Sequence, residues 1–321
     1  MKITITDSEN GRVLREYLRK DIGFSSKQLK KMKFSDDGIK VNGAHVTVRY
    51  ILKTGDVLEL ADGDTEDDVN PYIVPGSETV PVVFEDASLT VVNKPAGMPA
   101  HPSLGHKTDT VANALALRYI GTPYVFRPVN RLDGDTSGVM ITANTRLAAY
   151  AMFRELKSGR VKKTYVAVLD GVPDAGDPAV TDDGDGVYRI TSYMRRRAES
   201  IIERVECASD DDGAKLAVTR FKVIASDGKH SVVAAEPVTG RTHQLRVHFA
   251  SRGCPITGDT LYGTPSEYIG RQALHAVSTS FCHPDSRETV TVRAPLEGDI
   301  VSLIGRLFGD AEAILEEIGK L

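Results

Sequence analysis

Cysteine is scarce and scattered in this chain: Cys207, Cys254 and Cys282 are the only three in 321 residues. With no Cys-x-x-Cys pair among them, neither a disulfide framework nor a zinc knuckle is indicated. Long apolar runs are missing too. None approaches the ~18 residues of a membrane span, and residues 1–7 lack the continuous apolar core of a secretion signal. A reduced, cytoplasmic protein with no membrane partner is expected. His243 and His248 stand five apart and do not share a helical face as i,i+4 ligands would, so no metal or other cofactor is expected. No internal repeat is visible. What is present is ordinary for a globular fold, with 41% hydrophobic and 26% charged residues and enough chain for two domains.

Net charge is −4, which alone argues weakly against nucleic acid; its distribution says more. Residues 11–33 carry eight Lys or Arg against Glu16 and Asp21, and residues 127–165 carry eight against three acids. The balancing acids pool at 62–68, 182–185 and 210–212. Such segregation can give a mildly acidic protein a positive face, although a solvated helix surface produces the same pattern.

Leu14, Tyr17 and Leu18 share one helical stripe within residues 11–20, with Arg12, Arg15 and Arg19 on another. Gly23 stops this helix, and Ser25 and Ser26 cap a second over 27–33, basic on its outer side through Lys27, Lys30 and Lys31. A strand at Ile39–Val41, an Asn42-Gly43 turn and a Gly55-Asp56 turn into Val57–Leu60 complete a helix-helix-hairpin module over 1–61. This module resembles the small RNA-binding domain first described in ribosomal protein S-four, from which Phe34-Ser35-Asp36-Asp37 departs. The resemblance implies RNA contacts by Arg15, Arg19, Lys27, Lys30 and Lys31. Residues 62–79 read as an acidic linker. Strands are expected near 81–84, 89–92, 139–141, 165–169, 216–223, 231–235 and 289–292, and helices over 108–119, 145–157 and 243–251. The Asp/Gly-rich stretches at 174–186 and 209–213 read as surface hairpin loops. Strands outnumber helices without βαβ alternation, so residues 80–310 are expected to form an α+β domain on a large, mainly antiparallel mixed sheet flanked by helices and loops. Residues 311–321 are expected as a helical tail.

The chemistry concentrates at Asn130-Arg131-Leu132-Asp133-Gly134-Asp135-Thr136-Ser137-Gly138. Here charged groups stand in a turn-rich segment ahead of the apolar run Val139-Met140-Ile141, a usual placement for reactive side chains. Alone, the run reads first as an Asp/Gly turn with a local ion pair. Its company decides: Asn93-Lys94-Pro95-Ala96-Gly97 before it, Lys162-Lys163-Thr164-Tyr165 after it, then Gly240-Arg241-Thr242-His243-Gln244-Leu245-Arg246 and Gly258-Asp259-Thr260-Leu261-Tyr262-Gly263. In order and spacing these segments, with Arg271-Gln272-Ala273-Leu274-His275 and Phe281-Cys282-His283-Pro284, closely resemble the RluA family of pseudouridine synthases over roughly 80–297. Asn130 stands where that family often has His.

The resemblance implies an isomerase that detaches uracil from ribose, rotates it and rejoins it through carbon 5, with no redox change and no metal. It places the nucleophile at Asp133. It places at Arg246 a facing arginine, which physics also asks for, because a carboxylate in a dry pocket takes up a proton unless a cation holds it. Tyr165 would stack on the uracil and take the proton from carbon 5, an aromatic face being worth about 1–3 kcal/mol per base. Leu245 would close the apolar side, and Arg131 would fill the gap left by a flipped-out nucleotide. Thr136 and His243 lie within the same motifs and are expected at the substrate, with Lys94 as a phosphate contact. His275 and Leu261-Tyr262-Gly263 are expected as supports of the pocket. Arg195-Arg196-Arg197 reads equally as a phosphate contact or a solvated strand end. The implied partner is RNA, ribosomal RNA of the large subunit or transfer RNA, bound by a monomer with no obligate protein partner.

The residues also admit two rival readings. Asp133-Gly134-Asp135-Thr136 satisfies the Asp-x-Asp-x-Thr pattern of magnesium-dependent phosphatases, which requires a buried strand immediately before it; Arg127-Pro128-Val129-Asn130-Arg131 is a poor one. A non-catalytic RNA-binding protein is the other, for which the trio of Asp133, Tyr165 and Arg246 has no use.

Overall fold

The computed structural model describes residues 2–24, 26–33, 38–60, 68–309 and 311–321. Ser25, the Phe34-Ser35-Asp36-Asp37 run and residues 62–67 of the expected linker lie outside the described residues, as do the side chains of Lys27 and Lys31.

Alternation in the first 60 residues builds a small sheet. Strands β1 (Lys2–Thr4), β2 (Ile39–Val41), β3 (Ala44–His45) and β4 (Val57–Leu60) pair antiparallel in the order β1-β4-β2-β3. Ile39, Val41, Leu58 and Leu60 point to one buried face, against which α1 (Leu14–Lys20) sets Leu14, Tyr17 and Leu18. Helix α2 (Ser26–Met32) adds Leu29 and Met32. At the Asn42-Gly43 turn both residues adopt positive φ, 53° and 79°, the conformation a two-residue hairpin demands. The Asn42 side chain also accepts from the Val57 amide at 2.8 Å and donates to Asp56 at 2.9 Å, tying this turn to the next.

The remaining strands form one eleven-stranded sheet. In chain order they are β5 (Val82–Glu85), β6 (Leu89–Lys94), β7 (Ser137–Ala143), β8 (Lys162–Asp170), β9 (Val180–Gly184), β10 (Val187–Arg196), β11 (Arg204–Cys207), β12 (Lys215–Ser226), β13 (His230–Pro237), β14 (Leu274–Cys282) and β15 (Thr289–Arg293). The path runs β11-β10-β12-β13-β8-β14-β7-β6-β5, with β9 on β10 and β15 on β14. Every pairing is antiparallel except β14 with β7. The expected α+β class with a mainly antiparallel mixed sheet therefore holds. Gly138 makes the parallel pairing possible: its φ is +111°, and a Cβ there would stand 2.2 Å from the Ala276 carbonyl oxygen.

Helices cover this sheet. Thr110 and Asn113 form a reciprocal capping box at the start of α3 (Val111–Arg118). Thr145 accepts from the Ala148 amide at 3.1 Å to start α4 (Arg146–Lys157). Helix α5 (Gln244–Ala250) is buried along most of its length, and α6 (Gly298–Phe308) sends Ile300, Leu303 and Ile304 into the core. Helix α7 (Glu312–Gly319) docks through Ile318, and the Leu321 carbonyl accepts from the Ser278 hydroxyl at 3.0 Å. No helix among the described residues is long and apolar enough to cross a membrane.

Helix α4 belongs to both sheets. Ala148 and Met152 pack with Val139 and Ile141 of β7, whereas Leu147 and Tyr150 join the core of the small sheet. The Tyr17 and Tyr150 hydroxyls meet at 2.6 Å with their rings edge to face, and the Arg146 guanidinium lies 4.4 Å from the Phe24 ring centre.

Strands β1, β3, β9, β10, β11 and β14 depart from the sequence expectation. Within 174–186, expected as a surface loop, Val180–Gly184 forms β9, because one neighbour, β10, suffices to hold an edge strand rich in Asp. Strands β10 and β14 were not expected, since arginines and tyrosines interrupt the first and His275, Ser278, Thr279 and Ser280 the second.

Candidate active site

The 130–137 loop is held from both ends and from below. Asn130 accepts from the Ile141 amide at 2.7 Å and donates to the Val139 carbonyl at 3.3 Å, fastening the loop's start to β7. Thr136 N–H donates to the Asp133 carbonyl at 3.1 Å, closing a turn. Arg271 donates to the Asp135 carbonyl at 3.1 Å while its other face pairs with both Asp299 oxygens at 2.7 and 2.8 Å.

Beneath the loop lies Lys94, which corrects one expectation. Its side chain is fully buried, and its three protons go to the carbonyls of Pro95, Met98 and Gly134 at 2.8, 2.8 and 2.6 Å. Burial pushes its ammonium down to about 8. An ammonium so saturated and so deep cannot meet a phosphate; Lys94 is a strut that fixes the height of the loop bearing Asp133.

Asp133 projects from this loop into a cleft of about 600 Å³ and is 28% exposed. Arg246 comes from α5, on the opposite wall, and its Nη1 lies 3.6 Å from the Asp133 carboxylate. This is an approach and not a closed ion pair. The strong partner of Arg246 is Asp259, whose oxygens accept from Nε and Nη2 at 2.7 and 2.8 Å. Asp259 has no exposed side-chain surface, and its Oδ1 also accepts from the Leu261 and Tyr262 amides at 3.0 and 3.1 Å. The guanidinium is thereby gripped along one edge, leaving the remaining nitrogen for the cleft.

His243 stands at the head of α5 with φ 57°. Its Nε2 lies 3.9 Å from Asp133 and its Nδ1 2.8 Å from the Tyr262 hydroxyl. That hydroxyl also accepts from the Arg204 amide at 2.8 Å, which links His243 to β11. Burial, against the opposing pull of Asp133, lowers the His243 pKa.

Tyr165, from β8, forms the floor beside Leu245; both are buried at the cleft's base. Burial and then the charge of Asp133 raise the Tyr165 phenol above its ordinary range. Its hydroxyl has no hydrogen-bond partner among the described residues, so its proton is free to meet an incoming ligand. Arg131 is exposed at the rim, Thr136 is buried in the wall with its hydroxyl accepting from Gln272 at 3.3 Å, and both line the cleft. The apolar floor, the polar wall and the convergent carboxylate suit a planar base attached to a sugar.

Asp259, Lys163 and Arg204 went unassigned a catalytic-site role in the sequence. Asp259 sits in a motif, but only its distance to Arg246 reveals its task. Lys163 lines the cleft, burial pushes its ammonium below the usual lysine range, and it has no carboxylate partner among the described residues. The hydrogen-bond link from Arg204 through Tyr262 to His243 depends on chain segments far apart in sequence. His275, buried on β14, bonds the Ser137 hydroxyl at 2.8 Å and so backs the loop from behind. The phosphatase pattern fails on topology, because the buried strand β7 follows Asp133-Gly134-Asp135-Thr136 instead of preceding it.

The family model described as RNA pseudouridylate synthase matches residues 88–251. An uncharacterized RNA pseudouridine synthase of Bacillus subtilis is 36% identical over 286 residues, covering 88% of this chain and 95% of its own. The ribosomal large subunit pseudouridine synthase D of Neisseria meningitidis is 36% identical over 252 residues, covering 74% of this chain and 64% of its own. The solved human RNA pseudouridylate synthase domain containing 1 superposes with a TM-score of 0.52 at 29% identity, covering 69% of this chain and 85% of its own. The chain thus belongs to the RNA pseudouridylate synthase family, and it is an isomerase that acts on RNA.

Proposed function

We propose that this enzyme converts uridine to pseudouridine in large-subunit ribosomal RNA, with Asp133 as nucleophile. One observation carries the reading: Asp133, Tyr165 and Arg246 arrive from a loop, a strand and a helix at a single cleft. The choice of RNA is supported by relatives named for the large ribosomal subunit.

The reaction breaks the bond from ribose to nitrogen 1 of uracil and forms one to carbon 5. Carbon 5 loses a proton and nitrogen 1 gains one, so atoms balance without an oxidant or a metal. A flipped uridine enters over Tyr165, whose ring faces the base while Leu245 excludes water from one side. Asp133 attacks the sugar or the base, or draws a proton from the ribose. Arg246, held by Asp259, keeps a positive charge where the carboxylate's electrons shift. Tyr165 begins as a neutral phenol, so it takes the carbon 5 proton as its own proton passes to nitrogen 1 of the uracil, the atom that must gain one. Arg131 occupies the gap in the RNA stack, and Lys163 faces a phosphate at the cleft edge.

The first 60 residues are proposed to be an RNA-binding module of the ribosomal-protein-S-four type. Arg15, Arg19 and Lys30 are exposed and have no acidic partner among the described residues, which supports this role. The enzyme is proposed to work as a cytoplasmic monomer.

The test is tritium release from large-subunit RNA labelled at carbon 5 of uracil. The parent releases tritium; Asp133→Asn binds the RNA and releases none, and turnover within tenfold of the parent would refute the nucleophile. Arg15→Glu combined with Arg19→Glu weakens RNA binding and flattens its dependence on salt. An unchanged salt slope would remove the N-terminal module from the interface.

A further inference from the structure

A second cleft of about 580 Å³ opens beside the active site, sharing with it the 240–242 turn that leads into α5. Arg195, Arg196, Arg204, Lys215 and Arg241 line it, against one carboxylate, Asp212. Of the five cations only Arg195 has a carboxylate partner among the described residues, Asp211 at 3.3 Å. Arg204 donates to the carbonyls of Ile202 and Glu203 at 2.8 and 3.0 Å, and Arg241 through Nε to the Leu216 carbonyl at 2.8 Å, which fixes both guanidiniums without neutralising them. Arg196 and Lys215 are exposed and make no such bond.

Strand register sharpens the point. Arg196 of β10 is the direct cross-strand partner of Arg204 of β11, and Lys215 of β12 is the partner of Met194, two residues before Arg196 on the same face. Like charges placed directly opposite on neighbouring strands destabilise a sheet. Here three cations share one face around a cleft, a cost that an anion lying between them offsets. The face is also anchored to the catalytic wall, since Met194 packs with Val247 of α5 and the Arg204 amide donates to Tyr262, the partner of His243.

Resting on the isomerase reading above, we propose that this cleft is a second RNA site. It takes backbone phosphates of the strand flanking the target uridine, and it sets the register of that strand against α5 and the 130–137 loop. Consecutive phosphates leaving the active site pass the 240–242 turn and meet the cations of the second cleft, Arg241 with Lys215 on the β12 side and Arg196 with Arg204 on the β10–β11 side. A protein partner with an acidic segment would find the same charges but no reason to be joined to the catalytic cleft, and the test below separates the two.

The experiment measures a fluorescein-labelled uridine dodecamer and tritium-labelled large-subunit RNA against the parent and Arg196→Ala combined with Lys215→Ala. The double variant is expected to raise Kd for the dodecamer and KM for the large RNA by about tenfold at moderate salt. It also lowers the slope of log Kd against log salt by about 1.4, two phosphate contacts at about 0.7 each for a single strand. The charge-keeping pair Arg196→Lys with Lys215→Arg restores both values. The melting temperature of the alanine variant without RNA is no lower than the parent's, because a repulsion has been removed. Parental Kd and salt slope in the alanine variant would overturn the proposal and leave the cleft to some other partner. Binding is read on the dodecamer whether or not the parent releases tritium, so a failure of the isomerase reading shows separately as an inactive parent.

Discussion

A guanidinium offers two edges, and in Arg246 they are divided between two carboxylates with different duties. Asp259 takes the Nε–Nη2 edge in a buried, bidentate grip, while Nη1 is left 3.6 Å from Asp133. Asp259 is thus a positioning residue: it touches no substrate but fixes where positive charge stands. Replacing it by Asn keeps the shape and loses one strong acceptor. Asp259→Asn is expected to lower kcat about a hundredfold, the usual penalty of a misplaced group near the chemistry, while KM for RNA changes little; a fall in affinity instead of turnover would contradict the assignment. That Asp133, Tyr165 and Arg246 would meet at one cleft was legible in the chain because each sits in a contiguous motif. The roles of Asp259 and Lys94 were not, because they come from contacts spanning 13 and 40 residues of sequence. A lysine in an Asn-Lys-Pro turn reads the same whether it faces phosphate or three carbonyls.

Loops can place a reactive carboxylate accurately only when strands hold their ends, and here β7 and β14 do so through one parallel contact at Gly138 and Ala276. Any side chain at residue 138 would strike the Ala276 backbone and demand an unfavourable φ. Gly138→Ala is expected to destabilise the protein by about 3 kcal/mol or more, read by urea denaturation, and to impair turnover because the loop shifts with the strand. Stability within 1 kcal/mol of the parent would show that the two strands can part without harm. At this scale the sequence conveyed the hydrophobic strands β6, β7, β8 and β13, whose apolar runs are nearly unbroken. It concealed β14, the strand that bonds the loop from behind, because its buried His275 and Ser278 imitate a surface pattern. Buried polar residues that find partners inside the fold defeat any reading based on alternation alone.

Two histidines give the whole molecule a pH limit. His248 and His275 have no exposed surface, and burial lowers them to about 3 and about 4 from an ordinary 6.5. Between about pH 4 and 6.5 the unfolded chain binds protons at both positions that the folded chain does not. Stability from these groups is therefore complete above about pH 6.5 and is lost as pH falls, each adding up to about 1.4 kcal/mol per pH unit. Melting temperatures measured from pH 7 to 4 should fall steeply, and His275→Gln should fall less steeply over the same range. A parallel decline in both would assign acid sensitivity to other groups.

The placement of Tyr150 has a consequence for anyone cutting this chain into parts. Its ring is buried against residues of the first 60, so the natural seam runs through a helix and not along the acidic stretch between the sheets. A catalytic fragment trimmed at that stretch would carry a greasy scar on α4, and its poor behaviour would say nothing about RNA. Transplanting the amino-terminal unit onto another enzyme would succeed only if the recipient were given the matching helix surface as well.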